Sequence, residues 1–243
     1  MSRTISLVKT ESLSSRIRNA SGTLGLWFLL YGCAEILRMI VLSIHQLFWV
    51  YSAIRSIKAF RDYLYMHIIL IVVLEIIIAL IIINLGSKSR NWGSVLNDNL
   101  VKKTGLPIIV HGTVRVINSL YILINMNTII NIAVNQSVNP DYELSFEEAY
   151  IVVISSYLDM LTLILGLVAF AFLGYVLIFT SEHFDEFKEL KLAGILFLVG
   201  ALLLLTSLRG LIILVASLLV GRKLRKVLIK EEPKLAIPTL PEY

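Results

Sequence analysis

The segment Ile69–Ile83, "ILIVVLEIIIALIII", is apolar at every position but one, and it sits inside a longer apolar region, Tyr63–Leu85. Four further predominantly apolar regions lie along the chain: Leu24–Val50, Leu106–Val134, Tyr150–Thr180 and Leu192–Gly221. A run of about 20 apolar residues is long enough to cross the hydrocarbon core of a bilayer as a helix. Inside lipid every backbone N–H and C=O must find its partner within the protein, so a spanning chain is either helical or a closed barrel. The apolar runs are continuous rather than alternating, which selects helices. Composition agrees, with 57% hydrophobic and 16% charged residues against roughly 45–50% and about 25% in soluble domains. The expected fold class is therefore all-α, a polytopic transmembrane helical bundle that has the lipid bilayer as its first partner.

The number of spans follows from charge. The last region, Leu192–Gly221, is interrupted by Thr206-Ser-Leu-Arg-Gly210 and reads as a tight helical hairpin. Lys and Arg number four in the N-terminal stretch, three in 51–62, four in 86–105, none in 135–149, two in 181–191 and six after Gly221. Basic residues stay on the cytoplasmic side. Five spans would send the six-positive tail outside, whereas six spans keep both termini in the cytoplasm of a cell-membrane protein. Six spans is the favoured reading and five the alternative. Trp49, Tyr51, Tyr63, Tyr65, Tyr142 and Tyr150 then fall near the outer interface, where amphipathic rings prefer to sit. The layout read from the chain is a cytoplasmic polar tail over 1–23, a transmembrane domain over 24–221, and a basic then Pro-rich cytoplasmic tail over 222–243. No cleavable signal pattern is read at the start, because the first apolar region is too long for one.

Two stretches share a layout. "LGSKSRNWGSVLNDNLVKKTGLPIIV" runs from Leu85-Gly86 through a polar connector to Lys102-x-x-Gly105. "LGYVLIFTSEHFDEFKELKLAGILFLV" runs from Leu173-Gly174 to Lys191-x-x-Gly194. They read as a parallel internal repeat relating spans 2–3 to spans 4–5. The unit resembles one in uncharacterised archaeal multi-pass membrane proteins, in which a polar connector feeds a helix led by Lys-x-x-Gly. The resemblance covers residues 85–115 and 173–215. It adds support to the six-span reading and implies no activity.

The apolar regions hold six charges: Glu35, Arg38, Glu75, Arg115, Asp159 and Arg209. Each costs about 2.5–3.5 kcal/mol at a helix centre, so they are expected to be paired. Glu35 and Arg38 are three apart and read as an intrahelical pair. Counting at 1.5 Å per residue from the span ends puts Glu75, Arg115 and Asp159 near mid-depth and Arg209 at the outer turn. Glu75 is therefore expected to meet Arg115 or to be protonated. His111, Arg115, Asn118 and Asn125 follow one another at helical spacings and form a polar stripe down the third span. The candidate intramembrane polar site is thus Glu75, His111, Arg115, Asn118, Asn125 and Asp159.

Other chemistry has little to stand on. Cys33 is the sole cysteine and reads as a small buried residue. The four histidines are too scattered for a zinc site, and no metalloprotease, nucleophile-elbow or phosphate-loop motif is present. No metal, cofactor, catalytic residue or nucleic-acid partner is expected. The segment "SEHFDEFKELK" reads as an interfacial helix. Two functions remain. One is a non-catalytic structural or assembly component that packs with other membrane subunits; the alternative is a small-solute or ion transporter built on the polar site. Six charges that balance three against three favour the first.

Overall fold

The computed structural model describes residues 13–203 and 208–229, with side chains placed for 15–44, 56–203 and 210–227. The described residues form seven α-helices and one 3-10 turn: α1 Leu13–Arg55, α2 Ile57–Val95, α3 Asn99–Ile124, α4 Met126–Val138, α5 Phe146–His183, the 3-10 turn Asp185–Phe187, α6 Leu190–Leu202 and α7 Leu208–Ile229. Four helices are long and apolar enough to cross a membrane: α1, α2, α3 and α5.

Local signals set the helix ends. Ser56 caps α2 by accepting from Ala59 N, and Asp98 caps α3 by accepting from Leu100 N and Val101 N. Ser145 and Glu148 form a capping box at the start of α5. Each satisfies N–H groups that the first turn leaves without partners.

The helices run well past the apolar regions. Helix α1 begins at Leu13, within the stretch read as a polar tail, and Ser21 is fully buried there. The connector 86–105 is not a loop: α2 continues to Val95, and only 96–98 separate it from α3. Leu224 is buried within α7, which extends to Ile229, so the C-terminal boundary at 222 also falls inside a helix. The third apolar region is not one helix but breaks at Asn125 into α3 and α4. "SEHFDEFKELK" is the end of α5, the 3-10 turn and the start of α6 rather than an interfacial helix, because Phe187 is buried against Trp92 at 5.4 Å. Cys33 is exposed on the outside of the bundle, not buried. The side chains of Trp49, Tyr51 and Arg209 lie outside the described residues.

Small residues set how closely neighbouring helices approach. A Cβ on Gly86 would stand 2.7 Å from the Gly105 carbonyl oxygen, and one on Gly174 would stand 2.6 Å from that of Gly194. A Cβ on Gly221 would stand 2.9 Å from the carbonyl oxygen of Gly25. In every case the residue four positions after one glycine packs against the other: Ile109 on Gly86, Ile178 on Gly194 and Leu29 on Gly221. That cross-pattern means α2 with α3, α5 with α6, and α7 with α1 are antiparallel pairs crossing at a glycine.

The core lies where these pairs converge. Phe28, Ile108, Phe170 and Phe197 are buried, with Phe170 stacked on Phe197 at 5.8 Å and Phe28 tilted against it at 6.1 Å. Tyr31 stacks on Phe170 at 5.8 Å. Below this aromatic layer the core is continuous and includes Ile82, Leu85, Leu173, Val220 and Leu224. One polar link crosses it, from Trp92 Nε1 to Ser21 Oγ at 3.0 Å. Above the layer the bundle opens, and the charged side chains are found there.

Candidate functional site

Each charged group reaches the site for a local reason. Glu35 and Arg38 are one turn apart on α1, so they present to the same neighbour. Glu75 comes from α2, Arg115 from α3. The α1–α2 turn at Ser56 brings the first two helices side by side. Arg38 lies eighteen residues before Ser56 and Glu75 nineteen after it, so the two stand level. Arg38 Nε donates to Glu75 Oε1 at 2.7 Å, and Arg115 Nε donates to Glu75 Oε2 at 2.5 Å. Arg38 Nη1 donates to Glu35 Oε2 at 3.0 Å, and Arg115 Nη1 lies 3.6 Å from Glu35 Oε1.

These four contacts make a closed ring of alternating sign: Arg38, Glu75, Arg115, Glu35. It is neutral as a unit and joins three helices. Glu35 and Arg115 are buried, while Glu75 and Arg38 are half-buried. The expected Glu75–Arg115 contact is present. The Glu35–Arg38 pair is present too, but not as a private pair, since each member also meets a charge from another helix. The level placement of Arg38 and Glu75 about Ser56 was the signal for that second contact, and counting only along one helix misses it.

Asp159, on α5, stands apart from the ring. It accepts from Asn118 Nδ2 at 2.7 Å, and among the described residues no basic group is within salt-bridge distance of it. Asn118 is on α3, one turn beyond Arg115, and is buried. His111, one turn before Arg115, is buried with its ring edge-on to Phe170 at 5.8 Å. Asn125 does not join the site. It ends α3, and its Nδ2 donates back to Tyr121 O at 2.9 Å. The other asparagines of this region hold α4 to α2: Tyr65 donates to Asn127 Oδ1 at 2.9 Å and Arg61 to Asn131 Oδ1 at 3.3 Å.

The ring, His111, Asn118 and Asp159 line one cavity of about 950 Å³. Its floor includes Tyr31 and Phe170, and its apolar walls include Ile68, Ile71, Leu163 and Ile213. His67 and Ser155 also face it, and neither figures in the polar stripe read along α3. Asp159 and Ser43 are exposed at its margin. Gly210 and Ile213, near the start of α7, complete the lining on one side. Sites for small organic ligands are commonly cavities of about 300–1,000 Å³ with mostly apolar walls and a few convergent polar groups. The arrangement suits binding and charge compensation. Among the described residues, no three of His, Cys, Asp or Glu are placed to hold a metal ion.

Comparison with known protein families, with curated proteins and with solved structures finds no match to this chain.

Proposed function

We propose that this chain is a multi-pass membrane protein that binds a small solute in its mid-membrane cavity and moves it across the bilayer. The observation that carries the reading is that the ion-pair ring, Asn118 and Asp159 share the wall of one open cavity, and that Asp159 there has no basic partner among the described residues. Ionisable residues at membrane depth mark solute or ion pathways by default, because their insertion is costly.

Six membrane segments with both ends in the cytoplasm belong to this proposal. The supporting geometry is the antiparallel pairing of α1 with α7, α2 with α3 and α5 with α6, together with the end of α6 at Leu202. The parallel repeat belongs to it as well. It is supported by the matched glycine contacts of Gly86 on Gly105 and Gly174 on Gly194, and the pair Gly221 on Gly25 suggests a third copy. In that alignment Glu35 and Arg115 are equivalent, each ten residues after its glycine. The site would then be one stretch of repeated helix charged with opposite signs.

A second reading is the scaffold favoured by the balance of interior charges, in which the ring pins three helices and nothing is bound. The closure of the ring on itself, two acids against two bases, favours it. Thiol labelling separates the two in protein made cysteine-free by Cys33→Ser. Cysteines at Asn118 and Ser155, on the cavity wall, should react with a small polar thiol reagent, since a thiolate forms only where water reaches. Cysteines at Ile117 and Ile124, which are exposed on the outside of the bundle, should be silent in lipid. Equal silence at all four positions would leave only the scaffold.

A further inference from the structure

Resting on the cavity reading above, we infer that the solute is an organic cation, a protonated amine on a short apolar body, and that Asp159 and Asn118 hold its ammonium group. Among the described residues the charges on the cavity wall do not balance. Glu35, Glu75 and Asp159 face Arg38 and Arg115, with His67 and His111 as the other basic side chains on the wall. The ring uses both guanidiniums on Glu35 and Glu75. Asp159 is left with an amide donor and no cation among the described residues.

Asn118 supplies the second half of the site. Its residue is 8% exposed, and its Oδ1 has no hydrogen-bond partner among the described residues. The amide cannot be turned to relieve this. A carboxylate only accepts, so Nδ2 must face Asp159 and Oδ1 must face away from it. A buried acceptor without a donor is costly. The cavity margin therefore offers an exposed carboxylate, backed by the same asparagine whose buried amide oxygen still calls for a donor. A protonated amine has up to three N–H donors and the matching charge.

Two rivals fit less well. A bare metal cation prefers about six or more oxygen ligands, and no metal-holding group is found among the described residues. The volume of about 950 Å³ is also far larger than an ion needs, and Ile68, Ile71, Leu163 and Ile213 make most of the remaining wall apolar. An anion would meet Asp159 where both guanidiniums are already engaged. An alkylammonium meets the carboxylate with its head and the isoleucines and leucine with its chain.

The test uses the purified full-length protein in detergent and three six-carbon probes: n-hexylammonium, hexanamide and hexanoate. Binding is read by calorimetric titration and by the shift in unfolding temperature. Hexylammonium should bind saturably and raise the unfolding temperature, with the other two at least tenfold weaker. Asp159→Asn should lower hexylammonium affinity tenfold or more, Asn118→Leu should also weaken it, and Asp159→Glu should restore most of it. Gly210→Trp should abolish binding by filling the cavity, since nothing lies within 4 Å of a Cβ at Gly210. Binding that Asp159→Asn leaves unchanged would overturn the cation assignment. If hexanamide or hexanoate binds as tightly and Gly210→Trp abolishes it, the cavity stands as a binding site and the cation assignment falls. If none of the three binds, both are overturned.

Discussion

Replacing Glu75 with glutamine keeps the shape of the side chain and removes its charge. Glu75 accepts from Arg38 at 2.7 Å and from Arg115 at 2.5 Å, so the change leaves a ring of two bases and one acid. Glu35 remains, but it is 3.6 Å from Arg115 and already bonded to Arg38. Breaking a buried ion pair from one side costs about 3–5 kcal/mol, because a charge is left without compensation. Two features move the expected value to the low end. The Glu75 side chain keeps 20% of its exposure, and Arg115 retains a weaker acid. Helices that stay inserted when the bundle comes apart also let the charges find other partners. We expect about 2–3 kcal/mol, read as loss of stability in reversible unfolding of the protein in mixed micelles. The double variant Glu75→Gln with Arg115→Gln restores neutrality and should recover at least about 1 kcal/mol of the sum of the single losses. Strict additivity, or a single-variant loss under about 0.5 kcal/mol, would refute a coupled ring.

Three further outcomes follow from the packing. Gly86→Ala should destabilise by about 1–3 kcal/mol in the same unfolding assay, since its Cβ would stand 2.7 Å from Gly105 O; Gly210→Ala should be neutral or slightly stabilising, and equal effects would contradict the close crossing. Trp92→Phe removes the donor to Ser21 Oγ within the core and should cost about 2 kcal/mol from the lost hydrogen bond and the void; near-native stability would show that this link is dispensable. Cysteines at Ser2 and Thr239, placed singly in cysteine-free protein, should both be shielded from an impermeant reagent applied outside intact cells, and labelling of Thr239 alone would support five spans.

Much of the bundle was legible along the chain because lipid-spanning helices need long apolar runs, and these are visible one residue at a time. The Glu75–Arg115 contact could be read from matched depth, whereas Thr206–Gly210 lies partly outside the described residues and α7 is already helical from Leu208. Helix ends were less legible. The stretches 13–23 and 86–95 are polar enough to resemble loops, yet they are helical because Ser21, Ser89 and Trp92 pack into a core that continues past the apolar region. Asn125 looked like a member of the polar stripe, but the helix breaks there and its amide bonds its own backbone. Cys33 lies in an apolar segment, but composition does not say which face of a helix is turned outward.

By itself, the sequence determined what kind of object this is. Its apolar runs require helices whose backbone bonds close internally, and its interior charges require partners. Which partners, and whether they close on one another or around a space, was decided by tertiary structure. Those answers depend on the order and direction in which helices pack, and three glycine crossings set that order across residues far apart in the chain. The ring exists because α1 and α2 fold back at Ser56 and α3 crosses α2 at Gly86. The cavity lies among α1, α2, α3 and α5, with Gly210 and Ile213 of α7 closing one side. Among the described residues Asp159 meets no cation, because α5 reaches the site through Asn118 while the ring engages both guanidiniums.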